Sequence, residues 1–285
     1  MEAGRKLKRE TLPMLVSRLL VSIVLLPIGI ALVVYGGLPY DLTIVMIMGV
    51  AAWEYVKLFR AGGFQPAGVL VPVGAVALVA GRIWNGFESM PWLLSLVILA
   101  SMMFHLVAYE RGRDQAATDF NITLSGALYF GWIGAYLISV RDLPEGKWWL
   151  LLVLPAVWLA DSGAYMVGKR FGRRKLCPRL SPKKTWEGYI AGVVTGAGGA
   201  ALLAALWAVA AGPGTAITPA RGALIGLVLG ALTPLGDLGE SMVKRQVGFK
   251  DSGDLLPGHG GIFDRIDSWL WAGVIGYYLI VWLFY

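Results

Sequence analysis

Residues 186–211 read WEGYIAGVVTGAGGAALLAALWAVAA, with a single charged residue, Glu187, at their start. A hydrocarbon layer satisfies no backbone hydrogen bond, so a segment that crosses it must be a helix of roughly 20 mostly apolar residues. This stretch meets that demand. Working outward, so do runs near 14–35, 39–59, 66–82, 90–109, 120–140, 148–168, 219–242 and 264–285. The third is short and carries Pro66 and Pro72. The first has a basic flank (Arg5, Lys6, Lys8, Arg9), but its apolar run exceeds the 7–15 residues of a signal-peptide core, and it is expected to be retained. The reading is an all-α, polytopic integral membrane helical bundle of about nine transmembrane helices.

Composition agrees. The 285 residues are 57% hydrophobic and 15% charged, with twelve Trp, eleven Tyr and ten Phe; soluble domains hold about 25% charged residues. Disorder, a disulfide scaffold and a water-soluble enzyme are excluded, and the single Cys177 forms no internal disulfide.

Lysine and arginine counts set the orientation. With the N-terminus cytoplasmic, the inner segments hold the four basic residues from Arg5 to Arg9, then Lys57, Arg60, Arg111 and Arg113. They also hold eight cations between Lys169 and Lys184, and Lys244, Arg245, Lys250 and Arg265. The other side holds only Arg82, Arg141, Lys147 and Arg221. The net charge of +7 is thus mostly topology, and no nucleic-acid partner is invoked.

Acidic residues are distributed unevenly. Before residue 160 the spans are nearly free of them, Glu54 being the clear exception; after it, Asp161, Asp237, Glu240, Asp264 and Asp267 fall in or beside apolar helices. An ionisable group at bilayer depth costs a few kcal/mol, so such residues face a polar cavity and have partners. Asp161 precedes a basic exit that continues to Ser181-Pro182-Lys183-Lys184-Thr185, where hydroxyls and ammoniums beside a helix start suit phosphate oxygens. Asp237, Glu240, Ser241, Lys244 and Arg245 share one helix face. His259 lies among glycines, including Gly260 and Gly261, ahead of Asp264, Arg265, Asp267 and Ser268. Topogenic charge, salt bridges between helices and helix-dipole complementation each account for part of this pattern.

Carboxylates at helix ends beside lysines point to Mg²⁺ and phosphate chemistry. Walker A and Gly-x-Gly-x-x-Gly patterns are absent, as is His-Glu-x-x-His, which argues against P-loop, Rossmann and zinc chemistry.

The run Ser241-x₂-Lys244-Arg245-x₄-Lys250-Asp251-x₅-Pro257-Gly258-His259-Gly260-Gly261-x₂-Asp264-Arg265-x-Asp267-Ser268 resembles the C-terminal motif of phosphatidate cytidylyltransferases (CDP-diacylglycerol synthases). Asp161-x₂-Ala164-Tyr165-x₂-Gly168 and Ser181-Pro182-Lys183-Lys184-Thr185-x-Glu187-Gly188 resemble the same family, so the likeness covers roughly 155–285. It implies transfer of CMP from CTP to phosphatidic acid at the cytoplasmic face, giving CDP-diacylglycerol and pyrophosphate, with Mg²⁺ and a second cation of unknown identity. The implied metal ligands are Asp237 and Asp264, with Asp161, Asp267 and Glu240 as nearby or additional ligands. Lys184, Lys244, Arg245, Lys250 and Arg265 are implied phosphate clamps, with Ser181, Lys183, Ser241, His259, Gly260 and Gly261 toward substrate. The division that follows is 1–119 as N-terminal transmembrane helices and 120–285 as the catalytic region of one integral unit, and the family also implies a homodimer.

Two residues stand apart. Glu54 is expected to pair with Lys57 or a basic residue on another helix, and His105 to be interfacial or packed. Rival readings are a CTP-dependent lipid kinase of the dolichol-kinase type and a cation-coupled transporter; the latter predicts charge at the midplane of repeated, broken helices.

Overall fold

The computed structural model describes residues 23–249, 251–253 and 260–285. Its helices run α1 (Ile23–Tyr35), α2 (Gly37–Ala61), α3 (Leu70–Asn85), α4 (Met90–Glu110), α5 (Ala116–Ala127), α6 (Tyr136–Arg141), α7 (Gly146–Phe171), α8 (Trp186–Ala211), α9 (Pro219–Leu232), α10 (Pro234–Gln246) and α11 (Phe263–Phe284). One departure from an all-helical chain appears among the described residues. The basic loop after α7 forms an antiparallel hairpin, β1 (Lys175–Cys177) with β2 (Ser181–Thr185), pairing Lys175 with Thr185 and Cys177 with Ser181.

Among these residues, seven stretches are long and apolar enough to cross a membrane, against the nine expected. The first expected span is described only from Ile23 onward, as the shorter α1. The third and fourth belong to one 41-residue stretch, Leu70–Glu110, that doubles back. Gly86, at φ 55°, and the 3₁₀ turn Gly86–Ser89 reverse the chain, and Ser89 Oγ donates to the Gly81 carbonyl at 2.7 Å. Gly74 then faces Val97 and Gly81 faces Leu93, as two antiparallel helices require. Helix α3 begins at Leu70, after Pro66 rather than through it, because proline donates no N–H to a helix. Large apolar side chains such as Leu99, Met103, Val194, Leu202 and Val209 point outward, where a bilayer covers them. The protein is an integral membrane helical bundle.

One hydrophobic core runs from Val33 on α1 to Ile280 on α11, with Trp149, Phe130 and Phe263 among its largest members. Around α8 the packing is different in kind. Gly192 lies against Ala160, and Gly196 against both Ala160 and the Gly226 carbonyl, while Gly222 and Gly226 press on Ala200. Helices that gain nothing from leaving lipid for each other associate by close backbone approach, and small residues at four-residue intervals permit it. This seam locks α7, α8 and α9 together.

Several contacts at one end of the bundle join α2 to the ends of α4 and α10, and α7 to α8. Gly62 meets Val247, Arg113 Nη2 donates to the Gly63 carbonyl at 3.3 Å, and Gly168 and Gly172 at the end of α7 meet Thr185 at the start of α8. Thr185 caps α8 by accepting from the Gly188 N–H at 3.2 Å. At the opposite end Arg141 Nε donates 2.7 Å to the Val33 carbonyl, closing the C-terminus of α1. Arg82 there is buried (3% exposed) over the Phe87 ring and donates to Ser139 Oγ at 2.7 Å, so it is a packed cation. His105, also buried, bonds Thr123 at 2.8 Å, as the packed reading expected.

Candidate active site

The stretch Pro219–Gln246 is broken. Helix α9 ends at Leu232, and Pro234 opens α10, so Asp237 stands in the first turn of α10, at the positive end of its dipole. Gly236 allows the break to lie against α11, since a Cβ there would meet Trp271 and the Asp267 carbonyl at 2.7–2.8 Å. Asp237, Glu240 and Asp267 thereby converge, each offering a carboxylate oxygen within 4.8 Å of the others. Glu240 and Asp267 are buried, and Asp237 is partly open.

Two lysines face this set. Lys184 on β2 pairs with Asp237 Oδ2 at 2.6 Å, so the hairpin of the basic loop reaches the carboxylates. Lys244, one turn after Glu240, pairs with it at 3.0 Å and with Asp264 Oδ1 at 2.7 Å. Asp161 on α7 lies within electrostatic reach of Lys184 and Asp237 and stays exposed toward the same space. The hairpin is anchored by Glu187, which accepts from the Arg173 N–H at 3.0 Å and the Arg174 N–H at 3.2 Å. Ser181 and Lys183 lie on β2, with Lys183 exposed. Ser241 Oγ approaches Asp237 Oδ1 at 3.4 Å, while Arg245 and Arg265 are exposed at the same end.

Asp264 belongs to a different arrangement from the one its sequence position implies. Its Oδ1 is taken by Lys244, and its Oδ2 accepts from Ser252 N (2.9 Å), Ser252 Oγ (2.9 Å) and Gly261 N (2.8 Å). Both oxygens are spent on the chain itself, and Asp264 ties the loop before α11 to the helix start. The carboxylate cluster therefore joins Asp237 to Glu240 and Asp267, not to Asp264. Gly260, at φ 78°, is required there: a Cβ would meet Asp264 Oδ2 at 2.7 Å. Lys250 and His259 lie outside the described residues. Sequence reading passes over Ser252, whose only signal is a hydroxyl one residue after Asp251.

The donor set bears on a cation directly. Three carboxylates this close repel one another, two ammoniums flank them, and Glu240 Oε1 is buried with no hydrogen-bond partner among the described residues. All-oxygen ligands suit a hard divalent ion. What such an arrangement can do is bind phosphate through lysines beside an oxygen-lined cation site, at one end of a membrane bundle.

Comparison with known proteins agrees in kind. The chain matches the cytidylyltransferase family over residues 16–283 and belongs to it. It is similar to the phosphatidate cytidylyltransferase of Pseudomonas aeruginosa, with 35% identity over 94% of this chain and 97% of the relative. That of Bacillus subtilis is 33% identical over 92% and 96%, and that of Synechocystis 31% identical over 93% and 96%.

Proposed function

We propose that this protein transfers the cytidylyl group of CTP to phosphatidic acid, giving CDP-diacylglycerol and pyrophosphate, at the cytoplasmic face of the membrane. The observation that carries the reading is the meeting of Asp237, Glu240 and Asp267 with Lys184 and Lys244 at one end of a bundle of this family.

A phosphatidate oxygen attacks the α-phosphorus of CTP; the bond from that phosphorus to the bridging oxygen of the β-phosphate breaks, and pyrophosphate leaves. The attacking oxygen is already ionised near neutral pH, so the residues here need move no proton. Their task is to bring two anions together. Asp237, Glu240 and Asp267 would hold Mg²⁺, with Asp161 adjoining; when bound, the ion supplies positive charge at the phosphates. Lys184, on the hairpin, reaches outward and is suited to the triphosphate. Lys244 neutralises Glu240 and Asp264 and keeps α10 in register with α11. Arg245, Arg265, Lys183, Ser181 and Ser241 line the same end as phosphate contacts, and Lys250 and His259 join them by their place in the motif.

The proposed topology is nine crossings with the N-terminus inside. It is supported by charge: Arg60, Arg111, Arg113, the Lys169–Lys184 segment, Lys244 and Arg245 stand at the end that holds the carboxylates, and Arg82, Arg141, Lys147 and Arg221 at the other. A homodimer and a second cation belong to the same proposal by family likeness.

The test uses purified protein in detergent with phosphatidic acid, α-³²P-labelled CTP and Mg²⁺, with EDTA as control. Label entering a lipid product with release of pyrophosphate is expected; release of CDP on adding a lipid alcohol, without labelled lipid, would overturn it.

A further inference from the structure

Glu54 is a carboxylate buried on α2 (2% exposed), in the half of the chain that the motifs do not reach. The expected ion pair with Lys57 is not made, because the Lys57 ammonium sits 3.6 Å over the Trp53 ring instead. Glu54 turns the other way. Its Oε2 accepts from the N–H of Phe263, the first residue of α11, at 2.9 Å. A helix start leaves its first N–H groups without partners, and a buried one needs an acceptor from elsewhere. That acceptor comes from 209 residues away.

The contact extends into the loop. A Cβ on Gly253 would lie 3.0 Å from Glu54 Oε1, and one on Gly261 would collide with both Glu54 Oε2 and Ser252 Oγ. Ser252 and Gly261 are the residues that hold Asp264 Oδ2. The neighbouring side chain is held as well: the Phe263 ring packs against Tyr55 (centroids 6.2 Å apart) and Phe130 (5.0 Å). One turn of α2 thus grips the start of α11 by its backbone, its ring and its flanking loop, immediately beside Asp264.

We infer that Glu54 is a positioning residue for the reaction. It caps α11 and holds Gly261 beside Ser252, and so fixes Asp264 and Asp267 on α11 relative to Lys244 on α10. The inference rests on the site proposed above.

The experiment compares Glu54→Ala and Glu54→Gln with Asp264→Asn in the full-length protein. It measures kcat, the KM for CTP, and hydrogen–deuterium exchange of peptides covering 260–266 and the α7–α9 seam. Glu54→Ala should lower kcat/KM by about tenfold or more and speed exchange at 260–266 by a similar factor, leaving α7–α9 unchanged. Glu54→Gln, whose amide oxygen still accepts, should recover most of both. Should Glu54→Ala fail to insert, Gly253→Ala pushes on Glu54 from the loop side and should give the same local exchange and the same loss. Normal kinetics and exchange in Glu54→Ala, equal defects in Ala and Gln, or faster exchange throughout the bundle would each overturn the positioning role. An inactive Asp264→Asn beside a normal Glu54→Ala would overturn this inference alone, whereas a fully active Asp237→Asn, measured alongside, would overturn the site on which it rests.

Discussion

The Lys244 ammonium lies 2.7 Å from Asp264 and 3.0 Å from Glu240, so a single cation on α10 serves two carboxylates, one on its own helix and one at the start of α11. The three side chains are 12%, 10% and 3% exposed, which puts this bridge out of reach of solvent screening. Removing one member of a buried charge set leaves the others uncompensated, at about 3–5 kcal/mol. Lys244→Met is expected to lose activity and to lower the melting temperature in detergent. An unaltered melting temperature would mean the lysine acts on substrate alone.

The carboxylate cluster makes a separable prediction. Asp237→Asn, Glu240→Gln and Asp267→Asn should each reduce turnover by about a hundredfold or more and raise the Mg²⁺ concentration needed for half-maximal rate. EDTA should abolish activity in the unaltered protein, with recovery on adding Mg²⁺. Asp264→Asn should also abolish turnover, but with membrane insertion retained and faster exchange over residues 260–266, since its oxygens hold the Ser252 and Gly261 amides and the lysine. A mutant set in which only Asp264→Asn shifts the Mg²⁺ requirement would reassign the ligands.

Lys184 reaches Asp237 from the hairpin, and Asp237 is 42% exposed by its side chain, so little of the fold's stability is expected to depend on this pair. Lys184→Ala should leave the melting temperature near that of the parent and raise the KM for CTP by roughly tenfold, the loss of one phosphate contact. Glu187→Ala, which frees the Arg173 and Arg174 amides, should move KM in the same direction by loosening the hairpin. Steady-state kinetics at varied CTP decide both.

The α8–α9 seam has no room at Gly226, where a Cβ would run into the Gly196 carbonyl. Gly226→Leu should prevent α9 from seating and sharply reduce the yield of folded protein, and Gly226→Ala should destabilise by about 1–3 kcal/mol through overpacking. Gly198, which has open space around it, is the control: Gly198→Ala should be neutral or slightly stabilising, as alanine is favoured over glycine in a helix. Thermal unfolding in detergent compares the three.

Much of this protein is legible along the chain. Apolar runs such as 186–211 specify membrane helices because lipid leaves the backbone no other way to satisfy its hydrogen bonds. Stranded acids at 161, 237, 240, 264 and 267 stand out because their burial costs free energy that an idle residue would not be made to bear. Even the glycine seam is written at 188, 192, 196 and 222, 226, 230, although its partners are not. Sequence spacing did not reveal which acids meet. The family likeness implies Asp237 and Asp264 alike as metal ligands, yet the break at Pro234 and the close approach at Gly236 turn Asp237 toward Glu240 and Asp267, while Ser252, Gly261 and Lys244 occupy Asp264. Nor could spacing pair Glu54 with the Phe263 amide across 209 residues, because that contact depends on how α2 packs against the start of α11. Hydropathy and charge are properties of each residue and survive in a linear reading. Convergence of carboxylates is a property of helix packing, set by a few close backbone contacts far apart in the chain, and only the folded bundle determines it.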